Sequence, residues 1–444
     1  MASFFRSKNE FEKLNICLIT KKFPYPGRGG EENYLWPMAR GLADRGHDVT
    51  VLTWQNPRGR TEIITQHFRA FFLGEKKGVN NRQFPTLAYR KFLELHEARP
   101  FQVVHSLDES GELIGRDHKK LKFIMTYDVS ATQMAQLFSI LGMAQETLGS
   151  LLSTGIALCY KFLTTYFSSD RRILKSADGM FVATPQQKIM LERYYMYPDM
   201  KTFVVPYGMD HIETEIRTPS AELRAKLALP EHAQIIVTQT DMTEFEEVAN
   251  LMRAFQKVVI KKPNARLIIM GNGPLKNDIE FECLNLVLGN KTIFVGTLGG
   301  DEVIDMVALS DIYINLSSRT SGFEPTMLEA MAQKKTVIGS ELSPIATIIE
   351  DGQNGFLVRP ADIDTLTEIV TRLLNNELSL TDIGERAHQK VMDLFNIDKM
   401  IDLIVGAYQT LIENRPFWRG LAKGRGLAAT QSGFLPPAAT PPPQ

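Results

Sequence analysis

The feature that most constrains this chain is a rhythm that occurs twice. Short apolar, β-branched runs alternate with helical segments: LNICLIT (14–20), DVTVLTW (48–54), FQVVHSL (101–107), FIMTYD (123–128), GMFVAT (179–184) and TFVVPYG (202–208). The scheme then repeats with AQIIVTQT (233–240), ARLIIMG (265–271), TIFVGT (292–297), IYINLS (312–317) and TVIGSE (336–341). Continuous apolar strands separated by helices predict parallel sheets covered on both faces. Two such sets predict an α/β protein of two doubly wound, Rossmann-like domains, and 444 residues are too many for one ordinary core. The joint falls in the polar stretch 209–227, and ligands are expected at the carboxyl ends of the strands, in the cleft between the domains.

Composition excludes several classes. With 44% hydrophobic and 23% charged residues the chain is that of a soluble globular protein. A formal net charge of −1 offers no bulk field for nucleic acid, so no nucleic-acid partner is expected. Cys17, Cys159 and Cys283 have neither paired nor metal-ligand spacing and read as buried thiols in a reducing compartment. The N-terminus lacks the apolar core of a signal peptide and no stretch is long enough to span a bilayer, which predicts a cytoplasmic location.

Two segments break the rhythm. Residues 131–167 form an apolar-rich helical insert with Gln145 and Glu146 in mid-course, read as a buried helical hairpin or as a contact to a peripheral membrane surface or a protein partner. The tail 428–444, rich in proline and small residues, reads as disordered.

Three stretches can carry chemistry. After the first strand, Gly27, Gly29 and Gly30 precede a helix, an arrangement whose backbone amides hold a phosphate or merely make a tight turn. Gly271, Asn272 and Gly273 likewise stand between a strand and a helix. In SSRTSGFEPTMLEAMAQKKTVIGSE (317–341) a strand runs through a loop containing Gly322 into a helix that opens near Pro325. Glu329 lies early in that helix, where a carboxylate is favoured by the helix dipole and would accept two ribose hydroxyls, or would simply cap the helix.

Read together, these stretches resemble the retaining glycosyltransferases of family 4, which have the GT-B fold. The resemblance runs from about residue 14 to about 415 and rests on GGEENYLWPMARGLADRGHDVTVLT, RRILKSADGMFVAT, VVPYGMD, ARLIIMGNGPL, SDIYINLSSRTSGFEPTMLEAMAQKKTVIGS and IIEDGQNGFLV. It implies an N-terminal acceptor-side domain (1–215), a C-terminal nucleotide-sugar domain (216–385) and final helices crossing back onto the first domain (386–420), with 421–444 as the disordered tail. It also implies a UDP- or GDP-linked sugar donor, a glycan or lipid-linked acceptor, transfer with retention, and no metal or other cofactor. Gly29 and Gly30 would face the donor phosphates, with Gly271, Asn272 and Gly273 beside them, and Glu329 would hold the ribose. Envelope or surface polysaccharide synthesis is the setting the resemblance suggests.

The catalytic pattern departs from that family. The carboxylate expected eight positions before Glu329 is Ser321, with Glu324 three positions on. The arginine and lysine that hold a donor diphosphate align with Asp241 and Glu246, and the acceptor-side histidine aligns with Tyr127, next to Asp128. At about 5 Å in an effective dielectric near 20 one charge pair is worth roughly 3 kcal/mol, so reversing two of them costs on the order of 10 kcal/mol before relaxation. The acids would then point to solvent or take a bridging cation, or Arg319 or Lys276 would supply the positive charge. Two readings therefore stand: an active transferase working through Arg319, Ser321 and Glu324, or a catalytically inactive relative kept as a binding or regulatory module. A nucleotide-sugar epimerase on the same fold is a third.

Overall fold

The computed structural model describes residues 13–23, 35–54, 61–74, 81–132, 155–156, 159–160, 170–206, 208–209, 215–317, 325–341 and 345–414. Most of the insert 131–167 and the whole proline-rich tail lie outside the described residues.

The first sheet contains β1 (Asn15–Ile19), β2 (Asp48–Thr53), β3 (Glu62–Ile64), β4 (Phe68–Phe72), β5 (Val103–Ser106), β6 (Ile124–Asp128), β7 (Gly179–Val182) and β8 (Thr202–Val204). Their order is β3-β4-β2-β1-β5-β6-β7-β8. All neighbours are parallel except β3, which returns antiparallel on β4, so the expectation of a purely parallel sheet is corrected at this edge. Thr65 closes that hairpin, its N–H and its hydroxyl both reaching the carbonyl of Phe68 at 2.8 and 3.1 Å. Strand β1 is buried along its whole length because both sheet faces are covered. Ile16 and Leu18 face one core, Cys17 and Ile19 the other. Cys17 and Cys283 are buried, whereas the expectation of a buried thiol is corrected at Cys159, which is exposed.

Helix α1 (Leu35–Asp44) and helix α2 (Phe84–Ala98) cover opposite faces of this sheet, and α3 (Pro185–Tyr195) follows β7. The start of α3 is written in the sequence: Thr184 and Gln187 form a reciprocal capping box, with Pro185 where a missing N–H costs nothing.

The second sheet contains β9 (Gln234–Gln239), β10 (Ala265–Met270), β11 (Thr292–Gly296), β12 (Ile312–Asn315), β13 (Thr336–Ser340) and β14 (Phe356–Val358). Its order is β11-β10-β9-β12-β13-β14, every neighbour parallel. Its helices are α4 (Phe245–Lys261), α5 (Lys276–Asn285), α6 (Gly300–Leu309), α7 (Pro325–Ala332), α8 (Ile363–Leu374) and α9 (Leu380–Leu394). In α4 the buried residues Val248, Leu251, Met252, Phe255 and Val258 recur at helical spacing and pack with α5 and α8 on one face. Helices α6, α7 and α9 cover the other.

The last described helix, α10 (Ile397–Glu413), belongs to the first core rather than the second. Its stripe of Met400, Ile401, Ile404, Val405, Tyr408 and Leu411 packs on α1, each side chain contributing roughly 1.5–3 kcal/mol by burial. Arg45 at the end of α1 holds both Asp398 and Asp402 at 3.1 Å. The joint is strapped by Met209, whose N–H donates to Phe395 O at 2.7 Å and whose carbonyl accepts from Ile397 N at 3.2 Å.

Candidate functional site

The order β10-β9-β12 marks where the second sheet reverses direction of growth, and in a doubly wound sheet the crevice outside the carboxyl ends of such strands is the ligand site. Strand β9 ends at Gln239 and β12 at Asn315. Alternation along the strands decides which way these residues face. Ile236, Ile312 and Ile314 pack with α4, α5 and α8, whereas Ile235, Val237 and Tyr313 pack with α6, α7 and α9. Gln239 and Asn315 fall two residues beyond Val237 and Tyr313, which are partners in register, and so lie on the face of α7. The hydroxyl of Thr326, in the first turn of α7, donates to Oε1 of Gln239 at 2.6 Å. That bond fixes the start of α7 against the end of β9.

Helix α7 carries Glu329, 3% exposed, one turn further in. Its far end is fixed as tightly. Gln333 accepts Arg217 N at 2.8 Å and donates to Glu215 O at 2.6 Å, tying α7 to the joint between the domains. Arg217 in turn holds Asp301 and Asp305 of α6 at 2.8 and 2.6 Å. A Cβ added to Gly384 of α9 would stand 2.0 Å from Lys334 O, so α9 lies directly against the end of α7.

Gly271 and Gly273 are required by a close approach of two loops. A Cβ at Gly271, whose φ is +112°, would meet Thr240 O at 1.8 Å, and one at Gly273 would meet Asp241 O at 1.7 Å. The loop after β10 therefore runs backbone to backbone along the loop after β9, and Leu275 N–H donates to Met242 O at 3.1 Å. Asn272 Oδ1 accepts the N–H of Gly273 at 3.0 Å.

Asp241 and Glu246 have local partners. Asp241 Oδ1 accepts the N–H and the hydroxyl of Thr243 at 3.1 and 2.8 Å. Glu246, in the first turn of α4, lies 2.9 Å from Arg253 two turns along the same helix, and Arg253 also reaches Glu282 of α5 at 3.3 Å. A carboxylate facing its own arginine repels a nearby phosphate far less than an uncompensated one. Lys276, at the start of α5, is 3.6 Å from Glu280.

On the acceptor side Tyr127 is a core residue. It is fully buried in the middle of the sheet, with its hydroxyl 3.1 Å from Ser176 Oγ and 3.3 Å from Gly111 O, because an aromatic ring at this position fills the core. Asp128, at the end of β6, accepts Ser130 N at 2.8 Å, and burial pushes its carboxyl above the usual carboxylate range. The first sheet reverses between β1 and β5, where Asp108 accepts Lys21 N at 2.5 Å and Ser110 N at 2.8 Å. Burial raises Asp108 as well.

Gly29, Gly30, Arg319, Ser321 and Glu324 lie outside the described residues. The residues that sequence reasoning missed are Gln239, Asn315 and Thr326. For Gln239 and Asn315 the signal was a polar residue closing a largely apolar strand at its ligand end, whereas Thr326 carried no such signal. Among the described residues no group of three or more His, Cys, Asp or Glu is placed to hold a metal ion, and no helix is long and apolar enough to cross a membrane.

Comparison with known proteins gives the class. Residues 219–390 match the family described as glycosyl transferases group 1, and residues 29–208 match the glycosyl transferase 4-like domain. The chain is similar to N-acetyl-alpha-D-glucosaminyl L-malate synthase of Bacillus anthracis, 24% identical over 87% of this chain and 94% of that protein. It is 21% identical to the O-antigen chain mannosyltransferase C of Escherichia coli over 90% of this chain and all of the other. Among solved structures, sucrose-phosphate synthase of Thermosynechococcus elongatus superposes with a TM-score of 0.71 at 19% identity, over 91% of this chain and 100% of that one. Anabaena HepE, solved with UDP and glucose, gives 0.67 at 15% identity, over 89% and 100%.

The protein is a two-domain glycosyltransferase of the GT-B fold. It belongs to the family 4 type, the class whose motifs its sequence carries.

Proposed function

We propose that this glycosyltransferase takes a sugar from a nucleoside-diphosphate donor bound at the β9–β12 crevice and passes it, with retention, to a glycan or lipid-linked acceptor held on the first domain. The observation that carries this is Glu329, buried on a helix whose first turn is fastened to the end of β9. A carboxylate there can accept the two hydroxyls of a ribose while the first-turn N–H groups of α7 that follow Pro325 meet the diphosphate. Gly29 and Gly30 are assigned to the same phosphates and Arg319, Ser321 and Glu324 to the sugar, as the family resemblance implies. UDP is the favoured nucleotide, since Anabaena HepE was solved with UDP-glucose and one Escherichia coli relative is a UDP-galactose-dependent transferase acting on a diphosphoundecaprenol-linked acceptor. That relative is 22% identical over 52% of this chain. Synthesis of an envelope or surface polysaccharide, in the cytoplasm at the inner face of a membrane, fits such an acceptor.

The pairing of Glu246 with Arg253 lessens one of the two repulsions that favoured an inactive module. Calorimetric titration with UDP, GDP, ADP and their common sugar conjugates, with and without magnesium, tests the reading. Binding of one donor supports it and names the base. Binding of none overturns it.

A further inference from the structure

The β9–β12 crevice has a chemistry that charge alone does not account for. Asp241 and Glu246 replace cations at this edge of the sheet, and each already has a partner on its own element. The groups on the α7 face of the crevice are instead neutral carboxamides, Gln239 and Asn315, at the ends of two neighbouring parallel strands. Such strands lie about 4.8 Å apart. In both residues the oxygen is already bound. Gln239 Oε1 accepts the Thr326 hydroxyl at 2.6 Å, and Asn315 Oδ1 accepts Ser317 N at 2.9 Å. The amide nitrogens are thereby turned to the opposite side. Asn315 is 1% exposed and its Nδ2 has no hydrogen-bond partner among the described residues. A buried N–H donor without an acceptor is costly enough that native folds keep few of them, and one sitting at the ligand edge of a doubly wound sheet points to an acceptor brought by the ligand. Phosphate oxygens, acceptors only, fit two N–H₂ groups one strand apart.

We propose that Gln239 and Asn315 are specificity-determining residues of this transferase, donating their amide N–H groups to the oxygens of the donor's diphosphate in place of cationic side chains. Thr326 is a positioning residue that sets the orientation of the Gln239 amide. The inference rests on reading the crevice as a nucleoside-diphosphate pocket.

Two nearly isosteric variants test it. Gln239→Glu and Asn315→Asp keep an oxygen for Thr326 and for Ser317 N but put a carboxylate where each amide nitrogen stood. UDP, GDP, ADP, pyrophosphate and the free nucleosides are titrated into the full-length wild type and each variant, with thermal unfolding measured alongside. The expected result is that the diphosphate bound by the wild type weakens roughly 100-fold in either variant, because a charge-assisted donor becomes a repelling acceptor. Thr326→Val weakens it roughly fivefold through loss of orientation. Free nucleosides bind as before. If Asn315→Asp fails to fold, Gln239→Glu, at a half-exposed position, carries the test. A Gln239→Glu protein that binds the diphosphate within about threefold of wild type, at an unchanged unfolding temperature, overturns the proposal and leaves the pocket reading standing. A wild type that binds none of the three nucleotides overturns the pocket reading and this proposal with it.

Discussion

The hydroxyl of Tyr408 on α10 lies 2.7 Å from Nδ1 of His105 on β5. Both side chains are buried, and with Phe181 they make an aromatic cluster that locks the returning helix to the first sheet. Burial pushes the His105 imidazole down to about 3 from an ordinary 6.5, so the folded protein holds it neutral. The unfolded chain takes up this proton near pH 6.5 and the folded chain only near 3. The stability it contributes is therefore complete above about pH 6.5 and is lost as pH falls towards 3, at up to about 1.4 kcal/mol per pH unit. His105→Asn removes that titration. Urea denaturation should show the variant's deficit shrinking by about 2 kcal/mol between pH 7.5 and pH 5. Parallel pH profiles would contradict the assignment.

Tyr408→Phe leaves the ring packing and deletes the hydroxyl. The expected cost is about 1–2 kcal/mol at neutral pH, the penalty for one lost buried hydrogen bond. Chemical denaturation measures it, and a neutral substitution would mean the contact adds nothing.

Gly271→Ala and Gly273→Ala each drive a methyl into a backbone carbonyl of the neighbouring loop, at 1.8 and 1.7 Å. Carbonyls in a packed loop cannot rotate away as a side chain can. Each substitution should cost on the order of 2–4 kcal/mol and part the loops after β9 and β10. Nucleotide affinity should fall together with stability. A variant of normal stability and affinity would show that the loops separate freely.

Glu246 faces Arg253, and its side chain is largely exposed. Glu246→Gln should therefore change nucleotide affinity by less than about threefold, because the charge removed was already compensated and screened. Asp241→Arg with Glu246→Lys adds two cations where the sheet meets the diphosphate and should raise affinity at least about tenfold, as two attractive pairs in place of none would. A large gain from Glu246→Gln alone would mean the carboxylate meets phosphate and not Arg253.

Gln333 joins α7 to the joint through Arg217 N and Glu215 O. Gln333→Leu leaves two polar backbone groups without these partners, at an expected cost of about 2–3 kcal/mol. Since the same helix carries Glu329, the KM for donor should rise more than kcat falls. An unchanged KM would separate the joint from the donor site.

The two-domain architecture was legible in the sequence because buried parallel strands are written as unbroken apolar runs. The runs around Ile16, Val49, Val103, Ile124, Met180, Phe203, Ile235, Leu267, Ile293, Ile312 and Val337 all became strands. Strands β3, β4 and β14 were missed because each alternates in exposure so that no continuous run marks it, and β3 and β14 are also short and lie at sheet edges. The burial of Tyr127 was not legible, because a motif position fixes where a residue stands on its strand and not how far the core extends around it. The Glu246–Arg253 pair was within reach, since residues seven apart share a helix face. The bond between Gln239 and Thr326 spans 87 positions, and only the folded chain brings those two residues together.

The measurement that most directly tests the account compares wild type with Glu329→Gln, titrating whichever of UDP, GDP and ADP the protein binds together with its 2′-deoxy form. If Glu329 holds the ribose, the variant should bind the ribonucleotide roughly 10- to 100-fold more weakly, the worth of one to two charge-assisted hydrogen bonds. Its loss on the 2′-deoxy nucleotide should be clearly smaller. Equal affinity in wild type and variant, or equal losses on both nucleotides, would contradict the central claim.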